Sequence, residues 1–148
     1  MKFKFGSLAL AVLLGACAAT APTSNSTGAP DSGSPDLACP LPGNCVNSRG
    51  GGNLVPLRYT GTPTQAMAML RATLATFPEA TIVRAEPLAL ALIFTTRAGF
   101  KDQVDFRIDV KAQRIDFRSR SLFGLFDFGK NRSRMQEFAT RFEQQSRR

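Results

Sequence analysis

The chain has no histidine, no tryptophan, one tyrosine and three cysteines in 148 residues. Without histidine there is no Ser–His or Cys–His nucleophile and no H-E-x-x-H helix, and a cysteine pair alone cannot supply the four ligands of a zinc site. A G-x-S-x-G elbow, a P-loop and a G-x-G-x-x-G opening a helix after a strand are also missing. No metal and no cofactor is therefore expected. Scarce Tyr and Trp, with no aromatic–basic repeat, take away the stacking platforms of RNA and single-strand binders, so nucleic acid is not an expected partner.

What is present first is an address. Lys2 and Lys4 precede an apolar run from Leu8 to Leu14 that is too short to span a bilayer, and small residues lead to Cys17. Leu14-Gly15-Ala16-Cys17 resembles the lipobox of bacterial lipoproteins, in which the signal is cut before the cysteine and that cysteine takes a fatty acyl group such as palmitate. An ordinary secretory signal, with Cys17 incidental, is the alternative. By resemblance to lipoprotein sorting, Ala18 rather than Asp after the cysteine points to the outer membrane. Loss of residues 1–16 removes Lys2 and Lys4, so the formal charge falls from +8 to +6. The mature chain stays basic, which favours anionic lipid or glycan as a partner; a protein partner is left unspecified.

The expected organisation is a lipoprotein signal over 1–16, a disordered tether over 17–38, a cysteine loop and Gly-rich hinge over 39–53, and an α+β domain over 54–148. Residues 18–37 are mostly Ala, Thr, Ser, Pro, Gly and Asn, a composition that cannot bury enough apolar area to order itself and that reaches roughly 25 Å as a coil. Acylation of Cys17 leaves Cys39 and Cys45 as an even pair in an oxidising compartment, which points to a small disulfide loop.

The domain reads strand, helix, four strands, helix. Pro56 marks 54–59 as an edge strand. Thr62 caps a helix with Pro63 at its first position and an apolar stripe of Met67, Leu70, Leu74 and Phe77 before Pro78. Residues 80–86 and 88–96 are strands, the second apolar on both faces and hence central. Val104, Phe106, Ile108 and Val110 alternate with charges, as do Ile115 and Phe117, giving two half-buried strands. Placing Val110 opposite Ile115 centres the turn on Ala112-Gln113 and opposes Asp105 to Arg120, Arg107 to Arg118 and Asp109 to Asp116, a solvated charge lattice with Ser119 and Ser121 on the core side. Met135, Phe138, Ala139 and Phe142 stripe a last helix over about 131–145. The expected fold class is α+β: an antiparallel sheet of four to five strands with two amphipathic helices on one face.

That last helix begins oddly. Lys130, Arg132 and Arg134 crowd the positive end of its dipole. Either Asp127 supplies a structural ion pair, or the helix start is a candidate anion site built from Arg118, Asn131, Arg132 and Arg134. The preceding loop, Leu122 to Phe128, is very apolar; the expectation is that it plugs one end of the core, with an exposed docking patch as the alternative.

These motifs resemble a bacterial and plastid family known as domain of unknown function 1499, over about Cys39 to Phe142. Its C-P-x-x-x-N-C opening falls on Cys39 to Cys45, and its F-x-D-D-V-E-F on Phe100, Asp102, Val104 and Phe106, with Gln103 and Asp105 replacing an Asp and the Glu. Its R-S-A-S-R-x-G-x-x-D-x-G-x-N-R-x-R falls without a gap on Arg118, Ser119, Ser121, Gly124, Asp127, Gly129, Asn131, Arg132 and Arg134, with Arg120 and Leu122 as departures. The resemblance implies domain limits and a weight on the third motif; it carries no activity.

The function expected from the sequence is a lipid-anchored envelope protein of unknown activity, a non-catalytic binding or structural module with the anion site above. Two alternatives stand beside it: an envelope hydrolase using Asp102, Asp105 or Asp127 with Ser119 or Ser121, and a partner-binding or assembly lipoprotein using the loop 122–128. The first requires an Asp carboxylate within hydrogen-bond reach of a serine in a real pocket. The second requires Phe123 and Phe126 to be exposed.

Overall fold

The computed structural model describes residues 37–50 and 53–147. Cys17, the signal, most of the tether and part of the Gly-rich hinge lie outside them. The elements are β1 (Cys45–Asn47), β2 (Leu57–Arg58), α1 (Pro63–Leu74), β3 (Ala80–Glu86), β4 (Ala89–Thr95), β5 (Lys101–Asp109), β6 (Arg114–Ser121) and α2 (Lys130–Ser146).

One antiparallel sheet of six strands runs β1-β6-β5-β4-β3, with β2 pairing the other half of β6. The fold is α+β with both helices on one sheet face, as the periodicity requires. The extra strand is β1, which the cysteine loop delivers onto β6. Pro56 precedes β2, which is only two residues long, and Thr62 caps α1 in a capping box with Gln65.

The helix-facing side of the sheet presents Leu90, Leu92, Phe94, Val104, Phe106, Ile108, Ile115 and Phe117 to Leu70 and Leu74 of α1 and Met135, Phe138 and Phe142 of α2, all buried. Phe138 is central, 4.8 Å from the Phe106 ring and 5.8 Å from that of Phe77. Burial of each such side chain contributes about 1.5–3 kcal/mol, which is what holds α2 down on the sheet.

The register of β5 against β6 differs from expectation by two residues. Asp105 opposes Arg118, Arg107 opposes Asp116 and Asp109 opposes Arg114. The turn is a four-residue one over 110–113, with Gln113 left-handed at φ 46° and Asp109 Oδ1 accepting from Ala112 N. A shift of two leaves every side chain on its expected face. It turns conflicting pairs into opposite-sign ones, which is the physical reason this register wins.

The charge lattice is not the solvated surface expected. Asp105, Asp116 and Arg118 are buried, because residues 37–49 fold back over this face. The Ala38 carbonyl accepts from Arg118 Nη1 at 2.8 Å, Arg49 Nη2 lies 2.6 Å from Asp116 Oδ2, and Leu37 is buried. Leu37 and Ala38, expected at the end of the tether, thus belong to the fold.

Candidate functional site

Three groups of residues converge on the end of the sheet where β6 stops and α2 starts. The first is the head of α2. Asn131 shares the stripe of Met135, Phe138 and Phe142, so helical spacing drives its amide into the core, where it must be satisfied. Its Nδ2 donates to the Asn44 carbonyl at 3.0 Å and to Ser121 Oγ at 3.2 Å, and its Oδ1 accepts from Ser119 Oγ at 2.6 Å and Arg134 Nη1 at 3.1 Å. Arg134 Nη2 reaches Asp102 Oδ2 at 2.7 Å while its guanidinium lies 4.6 Å over the Phe94 ring. Asp102 Oδ1 accepts from Ser121 Oγ at 2.7 Å.

The helix start itself is closed. Asp127 Oδ2 accepts from Asn131 N at 2.7 Å and Oδ1 from Gly129 N at 3.0 Å. Asp127 was expected to form an ion pair; among the described residues its carboxylate instead caps amides, which neutralises the dipole end directly. The four-residue anion receptor does not assemble. Arg118 lies on the opposite sheet face, paired with Asp105 at 2.7 Å. Arg134 is held by Asp102, the Asn131 amide is fully used, and Arg132, half-buried, has an interaction of its own.

The second group is the apolar loop, which does not plug the core. Phe123, Phe126 and Phe128 are 79%, 69% and 95% exposed, and Leu122, Leu125 and Phe100 are exposed as well. Between this loop and the turn after β4 runs an open cleft of about 650 Å³, lined by Phe100, Phe123, Phe126 and Phe128, with Asp102 and Ser121 among its polar lining and Arg97 and Lys130 as its basic groups. That volume suits a small-molecule site.

The third group is the cysteine loop, closed by a Cys39–Cys45 disulfide with Cα atoms 5.5 Å apart. It props the apolar loop: Asn44 Nδ2 donates to the Gly124 carbonyl, Asp127 N donates to the Gly43 carbonyl at 3.2 Å, and Ser121 N donates to the Asn44 carbonyl at 2.9 Å. A Cβ on Gly43 would stand 2.6 Å from the Leu125 carbonyl oxygen, so the close approach needs glycine.

On the far sheet face lies Asp116, whose carboxylate is buried. Burial works to raise its pKa, but the Arg49 hydrogen bond and charge, with Arg114 and the Ser48 hydroxyl, hold it below the ordinary 3.8. Arg49 is raised in turn, chiefly by its hydrogen bond to Asp116. This pair ties the residues after β1 to β6 and lies away from the cleft.

The serine–carboxylate contact asked of a hydrolase exists, between Ser121 and Asp102 on the cleft wall. Neither group is free to act on a substrate, however: Ser121 Oγ also accepts from Asn131, Asp102 is shared with Arg134, and no imidazole is present to relay the proton. No cluster of three or more metal-ligating side chains occurs among the described residues.

Sequence reasoning found Asn131 and Arg134 but assigned them to an anion, and found Asp127 but as an ion pair rather than a cap on amides. It missed Asn44, Gly43, the Asp102–Arg134 pair and the partnership of Phe100 with the loop. One signal was available: Asn131 sits on the apolar stripe, where an amide must be a buried hub. Comparison with curated proteins finds no match. The family model described as "Protein of unknown function (DUF1499)" matches residues 37–142, from the strap over the Arg118 face to the last aromatic of α2, and the chain belongs to that family.

Proposed function

We propose that this is a lipid-anchored cell-envelope protein, acylated at Cys17 and held at the outer membrane, that works as a non-catalytic binding module through its apolar loop. The observation that carries the binding element is the exposure of Phe123, Phe126 and Phe128 beside an aromatic cleft. Aromatic rings of this size are ordinarily buried, and a contiguous exposed patch of them marks an interaction surface. Supporting the anchor are the lipobox-like Leu14 to Cys17, the tether composition after it, and the disulfide, which suits an oxidising compartment. The partner class is apolar or amphipathic, with the basic chain favouring anionic lipid or glycan ends.

The test is made in cells. The parent protein takes up labelled palmitate and fractionates with the outer membrane, while Cys17→Ser does neither; equal fractionation of both removes the anchor. A photo-crosslinking residue at position 126 then forms adducts with an envelope component. Absence of any adduct removes the loop as the binding element.

A second reading, an envelope hydrolase, is favoured by one observation, the 2.7 Å contact of Ser121 Oγ with Asp102 at the cleft. It requires labelling by a serine-directed fluorophosphonate that Ser121→Ala abolishes. An unlabelled parent dismisses it.

A further inference from the structure

We propose that the occupant of this surface is a lipid bilayer: the tip formed by residues 96–100 and 122–130 inserts its aromatic side chains among the acyl chains of a leaflet rich in anionic headgroups. This rests on the choice of the loop as the binding element made above.

The apolar residues project rather than line a recess alone. Leu122 and Leu125 are exposed but do not line the cleft, and Phe128 is 95% exposed, so the loop presents apolar surface outward as well as inward. Phe128 also carries a left-handed backbone at φ 52°, a conformation that L side chains adopt at a cost. A phenylalanine that is strained and buries nothing inside the molecule has its use outside it.

The tip is built to keep its shape without the lipid. The cysteine loop holds it through Gly43 and Asn44, the Lys101 carbonyl accepts from Leu122 N at 3.0 Å, and Asp127 fixes the descent into α2. A held loop loses little conformational freedom on insertion.

Charge selects the kind of surface. Arg97, Lys101 and Lys130 are exposed around the tip. The nearby carboxylates are spent internally, Asp102 on Arg134 and Ser121 and Asp127 on helix amides. The collar is therefore net positive, which suits anionic headgroups while the rings enter the acyl boundary.

The chain itself arrives at the same end. Ala38 rests on Arg118 midway along β6, and one disulfide loop later Gly43 touches the tip. An acyl group on Cys17 and a tether reach of roughly 25 Å would keep this end within range of the membrane that carries the acyl group. Two weak anchors on one face also give the stable attachment that one acyl chain alone does not.

The chain has no tryptophan, so Phe126→Trp is a clean reporter. In the mature chain beginning at residue 17 with Cys17→Ser, emission shifts to the blue and is quenched by brominated lipid on adding vesicles of equal parts phosphatidylcholine and phosphatidylglycerol. Co-sedimentation with the same vesicles falls on the order of tenfold or more for the Phe123→Ser/Phe126→Ser/Phe128→Ser variant, whose thermal midpoint stays near that of the parent. Arg97→Glu with Lys130→Glu weakens binding to the anionic vesicles and leaves any binding to pure phosphatidylcholine unchanged. Equal sedimentation of parent and triple variant overturns the proposal. So does a reporter that responds to a monomeric anionic detergent below its micelle concentration but not to vesicles, an outcome that leaves the loop as a small-ligand site. A cellular adduct at position 126 to protein alone, with no vesicle response, overturns insertion while keeping the loop as a binding surface.

Discussion

At the scale of single residues, the buried ions decide most. Asp105 and Arg118 were legible as charges on a strand face, but not as a buried pair, because nothing in an alternating strand says whether the polar face meets water or a returning chain. With the strap in place, Asp105→Asn leaves the Arg118 guanidinium enclosed without its counter-charge. A loss of about 3–5 kcal/mol is expected, measured by urea unfolding. Asp116 makes an acid-sensitive contribution to stability. Because its folded pKa lies below the ordinary 3.8, its contribution is fully present above that value and is lost as pH falls through the lower folded one. Arg49→Gln, removing the hydrogen bond that depresses it, is expected to flatten the fall in stability below about pH 4, read from unfolding midpoints against pH. An unchanged slope would assign the acid sensitivity to other groups.

At the scale of elements, the two helices were readable because apolar residues recur at their spacing, with Thr62-Pro63 marking the start of α1 and the stripe alone placing α2. The role of Asp127 was harder to see. A carboxylate beside Lys130, Arg132 and Arg134 reads as a charge partner, whereas in the fold it accepts from amides two and four residues on. Asp127→Ala is expected to cost about 1 kcal/mol and to raise amide exchange at residues 129–133 ahead of the rest of α2. If exchange rises evenly along α2, the cap is not what secures its start. The β5–β6 register was misplaced by two because a two-residue turn and a four-residue turn keep the same face parity. Only the cross-strand charges and the left-handed Gln113 distinguish them.

At the scale of the whole molecule, the cysteine loop is a brace as much as a staple. Its ring closes only seven residues, so Cys39→Ser with Cys45→Ser is expected to lower stability by on the order of 2 kcal/mol. The larger expected effect is local, with faster proteolysis within 122–128 once Gly43 and Asn44 no longer hold that loop; cleavage mapped by mass spectrometry checks it. By itself the sequence determined the α+β class, the two helices and the start of the first, the face most strand residues take and the family motifs, because periodicity and capping are local and survive without knowledge of neighbours; the first helix ends at Leu74, short of the Phe77 expected on its stripe. Tertiary structure alone decided that the strap buries the Arg118 face, that Asn131 and Arg134 serve the core rather than an anion, and that Phe123, Phe126 and Phe128 stand outside it. Each of those turns on which distant segment comes to rest against a residue, and no spacing along the chain records that.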